Sequence, residues 1–475
     1  MLFQSLDFLL FFPLIVLVYF LLPAKQRWWW VLSASYFFYA FWNPFYLLLL
    51  WASTATDFFA AKAIEKADTP QRKKRWLGAS LVVNLGLLTT FKYYDFFAEQ
   101  FAWIIRWYQP DFQPYLLDVL LPIGISFYTF QTIGYTIDVF RGEQKAVQNL
   151  GTFANYVSFF PQLIAGPIER GKDLLPQLHF DYRFDPQRIT EGLRLFLWGL
   201  FKKVVVADRI GMFVWAVFSE PGMHQGWVVL IAGYLFFFQI YYDFTAYQDM
   251  AVGVARMLGI RLSKNFEPLI LLSRSFRKFW RGWHMTLTQW IRDYVYRPFN
   301  LYDKQFGKLS IGPLLVFFLV GLWHGANWTY VIWGTLHGVF LMAERHLAVL
   351  STGIGRLFGQ MTQRFVGFLF FFNAFTVANI FFCSSSLREG VQFIGRIFQG
   401  PSSSLNPGIP PIEFNLMWII LLLTLLFEYQ RRHLPIMEFL NLRQPALRWA
   451  LYLLLGLAVW FLRIPQEVQF IYFEF

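Results

Sequence analysis

Residues 311–343 contain no Asp, Glu, Lys or Arg, and the only basic side chains among them are two histidines, His324 and His337. A run this long exceeds the roughly 20 apolar residues that cross a bilayer. In hydrocarbon every backbone N–H and C=O must be satisfied within the chain, which leaves helices or a closed barrel. Similar runs recur along the sequence, and none alternates over about ten residues as a barrel strand does. The chain therefore reads as an all-α polytopic membrane protein, a single domain over 1–475. Composition agrees: 57% of residues are hydrophobic, 58 are Phe and only 15% are charged, against about 25% charged in soluble domains.

Candidate spans are roughly 2–22, 28–43, 45–62, 77–97, 116–138, 150–166, 190–216, 227–255, 311–325, 328–348, 365–383, 415–429 and 446–463. Some are short or re-entrant, which gives about eleven full crossings plus interfacial helices. The first has no basic n-region and no small-x-small cleavage site, so it is a retained span. Asn43-Pro44 splits 28–62, because the residue before proline disfavours helix. The split puts Lys25/Arg27 and the basic loop 62–75 on one side, which the positive-inside rule makes cytoplasmic. The N-terminus is then expected outside. The single cysteine, Cys383, excludes an intramolecular disulfide and a cysteine metal cluster. A net charge of +12 is read as cytoplasmic basic loops facing an anionic cytosolic donor, with no nucleic acid partner.

Residues 256–297 differ from the rest. They hold nine Lys or Arg and two acids, Glu267 and Asp293, interleaved with Phe276, Phe279, Trp280, Trp283, Trp290, Tyr294 and Tyr296. Nine cations at about 3 kcal/mol each would cost about 27 kcal/mol in mid-bilayer lipid. The segment is therefore either an interfacial helix with snorkelling cations or a basic vestibule for a phosphate-bearing donor.

Of seven histidines, His179, His224 and His433 lie in polar contexts and His346 sits near a helix end. His284, His324 and His337 remain. A titratable ring at bilayer depth faces a partner or a cavity. His324 stands in Gly321-Leu-Trp-His-Gly-Ala: small residues admit a ligand while Trp323 and Trp328 exclude water. A neutral imidazole there serves as a general base or as interhelical glue. His337 follows thirteen residues later, about 220° round an ideal helix, so the two share one cavity only if the helix breaks at Gly325-Ala326-Asn327. No Gly-x-Ser-x-Gly, Walker loop, dinucleotide fingerprint or His-Glu-x-x-His occurs, and no metal site is expected. Asp243 and Asp249 are expected to pair with an Arg of the basic segment.

Several blocks together resemble the membrane-bound O-acyltransferase (MBOAT) family, and within it the bacterial alginate O-acetyltransferase branch. They are Leu121-Pro-Ile-Gly-Ile-Ser-Phe-Tyr-Thr-Phe-Gln to Ile137-Asp-Val-Phe-Arg-Gly, Phe159-Phe-Pro-Gln-Leu-Ile-Ala-Gly-Pro-Ile-Glu-Arg, and Tyr242-Asp-Phe-Thr-Ala-Tyr-Gln-Asp-Met-Ala. Asn265-Phe-Glu-Pro, Phe279-Trp-Arg-Gly-Trp-His-Met-Thr-Leu, Trp290-Ile-Arg-Asp-Tyr-Val-Tyr, Gly321-Leu-Trp-His-Gly and Phe470-Ile-Tyr-Phe-Glu-Phe follow in order. Arg297-Pro-Phe-Asn-Leu-Tyr-Asp departs from the Pro-Leu-Gly-Gly of many relatives.

The resemblance implies helices around a central tunnel and transfer of an acyl group, acetyl first, from a cytosolic thioester to a hydroxyl across the membrane. It carries the family histidines onto His324 and His284 as catalytic residues. Arg274, Arg277, Lys278, Arg281, Trp280 and Trp283 are the expected donor-binding set, and Trp323, Asn327, His337 and Asp243 the expected tunnel lining. No cofactor is bound tightly; acetyl-CoA or an acyl carrier is a substrate. The implied partners are the bilayer, that cytosolic donor and an extracytoplasmic (periplasmic) acetyltransferase, with the bacterial inner membrane as location. Rival readings are D-alanyl transfer to teichoic acid and a transporter with a histidine proton relay.

Overall fold

The computed structural model describes residues 1–475 except 221, 302–304, 307–308, 403, 431, 435, 441–443, 465–469 and 472–475. The His346 side chain, Tyr302, Asp303 and most of the terminal block thus lie outside the described residues. The regular secondary structure of the described residues is helical apart from a hairpin pairing Gln305 with Ser310 and Phe306 with Leu309. Four described helices are long and apolar enough to cross a membrane: Pro44–Lys66, Trp227–Met257, Arg356–Cys383 and Pro411–Gln430. Leu6–Leu21, Gly312–His324 and Pro445–Phe461 are shorter apolar helices. Their outward residues are those lipid would cover: Leu10, Leu453, Leu454 and Trp460 are all exposed.

The chain divides into two compact units, Met1–Phe196 with Met250–Ser263, and Leu197–Asp249 with Lys264–Phe475. In the first, proline and side-chain caps punctuate the helices. Ser5 caps Leu6–Leu21. Ala24–Ala40 stops short of Asn43, whose side chain accepts from Phe45 N–H at 3.0 Å to start a turn at Pro44. Leu47–Lys66 then follows, so the split expected at Asn43-Pro44 is present. Thr69 caps Pro70–Leu88, and Ile125–Arg141 packs almost entirely buried. The region 150–166 is not one span: Leu150–Ser158 ends at Phe159 and only Phe160–Leu163 is helical after it. Pro161 lacks an N–H and cannot continue the helix, and residues 153–166 are all buried.

In the second unit a π-helical turn, Lys202–Ala207, leads into Asp208–Phe218. Residues 264–297 form no single interfacial helix. They fold as two seven-residue helices, Phe276–Gly282 and Met285–Ile291, and a π turn. The helical run Trp328–Cys383 breaks at Gly359, whose φ of +85° is left-handed, so the two runs read as 328–348 and 365–383 lie on either side of that break.

Candidate active site

The helix Gly312–His324 ends on His324 itself, and Gly325 is extended. Asn327 Oδ1 then accepts Thr329 N–H at 3.0 Å and starts the next helix at Trp328. The helix therefore breaks where the two histidines required it to break. Backbones touch across the resulting hairpin. A Cβ on Gly334 would lie 2.2 Å from the Phe317 carbonyl oxygen, and one on Gly321 2.4 Å from that of Tyr330. Glycine at these crossings lets the helices meet closely enough to share one row of rings.

That row links all three histidines. Trp333 lies edge-on between His324, with ring centroids 4.7 Å apart, and His337, at 4.9 Å. Trp323 lies between His324, at 4.9 Å, and His284, at 5.9 Å. His324 is 5% exposed. His337 is sealed among Trp280, Trp333 and Phe375, and among the described residues neither of its ring nitrogens has a hydrogen-bond partner.

His284 is buried and holds a φ of +44°. A non-glycine residue there is uncommon, and such strain gathers at functional positions. Two sequence blocks hold it. Asn265 accepts from the backbone N–H of Met285 through its carbonyl, at 2.9 Å, and from that of Thr286 through its side chain, at 3.0 Å. Glu267 N–H donates to the Gly282 carbonyl at 2.8 Å. Nothing in the sequence announced this pairing or the left-handed turn.

The helix Phe276–Gly282 sorts the expected donor-binding set. Phe276, Phe279 and Trp280 are buried with Trp283, while Arg274, Arg277, Lys278 and Arg281 face outward. The tryptophans belong to the ring row; the four cations form an exposed face, and none of them is in an ion pair among the described residues. Glu344 accepts from Ser275 Oγ at 2.8 Å and from Arg277 N–H at 3.2 Å, fixing the start of this helix.

Asp243 and Asp249 do not pair with an Arg of the basic segment. Asp243 and Asp208 each lie 2.8 Å from Lys203 Nζ, and Asp249 lies 2.8 Å from Lys202 Nζ. The cations of 274–281 face outward, whereas Lys202 and Lys203 are both buried in the same unit. Asp243 also accepts Ile471 N–H at 2.8 Å. It is thus tied into an ion cluster and a tail contact. Adjacent lysines inside the apolar run 190–216, with Asp208 close behind, were the overlooked signal.

A cavity of about 300 Å³ lies one aromatic ring away from His324, which is not itself part of its lining. Asn327, Tyr330, Phe382, Gln239 and Cys383 line it, and the Phe382 ring sits 5.4 Å from that of His324. The buried Gln239 carbonyl oxygen has no hydrogen-bond partner among the described residues. A buried nitrogen base one ring from an uncharged chamber suits proton transfer from a hydroxyl once that ring moves aside. Among the described residues, no three of His, Cys, Asp or Glu converge as a metal centre.

The membrane-bound O-acyltransferase family model matches residues 3–387. The chain belongs to this family. Among its relatives is the "Probable alginate O-acetylase AlgI" of Pseudomonas aeruginosa, 40% identical over 364 residues, covering 74% of this chain and 67% of that protein. The Pseudomonas putida protein of the same name is 36% identical over 84% of this chain and 80% of its own length. The peptidoglycan O-acetyltransferase of Helicobacter pylori is 33% identical over 75% of this chain and 71% of its own length. Teichoic acid D-alanyltransferases match at lower identity, over less than half of the chain. The protein is thus a membrane-bound O-acyltransferase, and the transporter reading falls.

Proposed function

We propose that this O-acyltransferase takes an acetyl group from a cytosolic thioester, acetyl-CoA or an acyl carrier, and passes it toward hydroxyls of an exported polysaccharide such as alginate. The observation that carries the reading is His324, buried at the end of an uncharged helix in one ring row with His284 and His337, with the Phe382 ring between it and a chamber of about 300 Å³. In this mechanism the exposed cations Arg274, Arg277, Lys278 and Arg281 attract the donor's phosphates. The hydroxyl oxygen attacks the thioester carbonyl as His324 accepts its proton. The C–S bond then breaks and the imidazolium returns that proton to the departing thiolate. General-base help of this kind contributes about 10²- to 10⁴-fold. His284, held in its strained turn, orients the donor against Trp323, while Asn327 starts the helix that carries His337.

The same proposal has about eleven crossings around a central tunnel in the bacterial inner membrane, the N-terminus outside, and both units acting as one domain over 1–475. A periplasmic acetyltransferase partner completes delivery to the polymer. Membranes carrying His324→Ala, given radiolabelled acetyl-CoA or acetyl-loaded carrier, should lose at least 100-fold of acetyl transfer while the protein keeps its wild-type melting temperature. Unchanged transfer refutes the assignment. Turnover of a D-alanyl-loaded carrier in place of the acetyl donor would replace the acetyl reading with teichoic acid D-alanylation.

A further inference from the structure

Away from the histidines, the first unit buries a carboxyl at bilayer depth that the acyl-transfer mechanism does not use. Asp57 lies in Leu47–Lys66, within the candidate span Pro44–Lys66, and is 0% exposed. Three helices converge on it, each with two polar residues four positions apart and therefore on one face: Ser53 and Asp57, Ser80 and Asn84, Thr132 and Thr136. All six are buried. The contacts form two layers. In one, Asp57 Oδ1 accepts from Ser80 Oγ and, at 2.8 Å, from Thr136 Oγ1. In the other, Asn84 Oδ1 accepts from Ser53 Oγ at 2.6 Å and from Thr132 Oγ1 at 3.5 Å. The Asn84 amide joins them, donating to Asp57 Oδ2 at 2.7 Å.

An ionised carboxylate away from water needs an opposite charge as well as hydrogen bonds. No lysine or arginine supplies one: among the described residues Asp57 has hydroxyl and amide partners only. Among the described residues the polar side chains around it are hydroxyls and the Asn84 amide, whose nitrogen faces Asp57 and whose carbonyl oxygen lies in the other layer, with no thiol or imidazole. Oxygen sets of this kind bind hard cations, and a lone negative charge balances a monovalent ion. We infer that the Asp57 cluster is a binding site for a small monovalent cation, Na⁺, that ties the helices Leu47–Lys66, Pro70–Leu88 and Ile125–Arg141 together. Each hydroxyl would turn a lone pair to the ion, and the Asn84 side chain would rotate to present its carbonyl oxygen beside the carboxylate.

The test is a thermal melt of the full-length purified protein in detergent, followed by tryptophan fluorescence. NaCl is titrated against choline chloride at constant ionic strength. Sodium should raise the melting temperature saturably by about 3–5 °C, as a ligand bound only by the folded state does, and choline should not. Asp57→Asn, which keeps hydrogen-bonding capacity but removes the charge, should abolish the sodium response. Thr136→Val, which leaves the charge in place, should shift the titration midpoint about tenfold upward. Superimposable wild-type melts in the two salts overturn the proposal, whatever the variants do. So does a sodium response that survives intact in a folded Asp57→Asn protein.

Discussion

Replacing Gly334 by alanine tests whether the helical hairpin sets the distance between the active-site rings. The new Cβ would meet the Phe317 carbonyl oxygen at 2.2 Å and Gly321 Cα at 2.9 Å. A carbon and a carbonyl oxygen rest at about 3.3 Å, so the helices must part by roughly 1 Å. Both obstacles are backbone and cannot swing aside. Overpacking of this kind costs about 1–3 kcal/mol, and the better helix propensity of alanine returns about 1 kcal/mol. The variant should therefore fold with a net loss of about 0–2 kcal/mol. Catalysis should suffer more, because a 1 Å displacement of positioned groups costs about 100-fold, or about 2.7 kcal/mol of barrier. Gly456→Ala is the control, since nothing lies within 4 Å of its added methyl group. The assay is the initial rate of acetyl transfer in membranes normalised for protein, with the melting temperature measured alongside. If Gly334→Ala works within threefold of wild type, the hairpin does not set the site geometry.

Other outcomes follow from the same physics. Lys203→Met should destabilise the protein by about 3–5 kcal/mol, because it leaves Asp208 and Asp243 buried without a cation; adding Asp208→Asn and Asp243→Asn should recover much of the loss, and a melt series reads both. Arg277→Ala with Lys278→Ala should raise KM for acetyl-CoA and flatten its dependence on salt while leaving kcat near wild type. Burial pushes the Glu169 carboxyl, which lies between helices and accepts from Ser263, from its ordinary 4.5 up to about 7. Across that interval the folded chain keeps on Glu169 a proton that the unfolded chain has released, so this group's contribution to stability is greatest below pH 4.5 and falls by about 3 kcal/mol as pH rises to 7. Glu169→Gln should remove this slope from melts recorded between pH 4.5 and 7.

What could be read in advance depended on whether a property is local to the chain. The uncharged run 311–343 declared apolar helix, and the small residues Gly325 and Ala326 marked where it had to break for both histidines to share a site. Asn43-Pro44 likewise broke a helix for a reason contained in two residues. Pairing across the chain was less legible. Asp243 needs a cation, which its sequence context makes plain, but the choice between Lys203 and an arginine of 274–281 rests on which of them faces inward. That direction is set by the π turn Lys202–Ala207 and by the aromatic side of Phe276–Gly282, neither of which a charge count contains.

The left-handed turn at His284 goes further beyond sequence reasoning. Histidine in that conformation is disfavoured locally, so the chain alone argues against it. The hydrogen bonds from Met285 and Thr286 to Asn265 supply the compensation from about twenty residues upstream. Local preference and global fold disagree at this point, and such disagreement is expected where function constrains geometry. Asn265→Ala offers a way to separate the two contributions. It deletes the side-chain acceptor for Thr286 while leaving His284, Trp323 and His324 chemically intact. If the turn serves to aim His284, Asn265→Ala should lower kcat about tenfold or more with little change in KM, and Asn265→Asp, which keeps an acceptor oxygen in place, should restore most of the rate. Equal loss in both variants would mean that Asn265 serves folding alone.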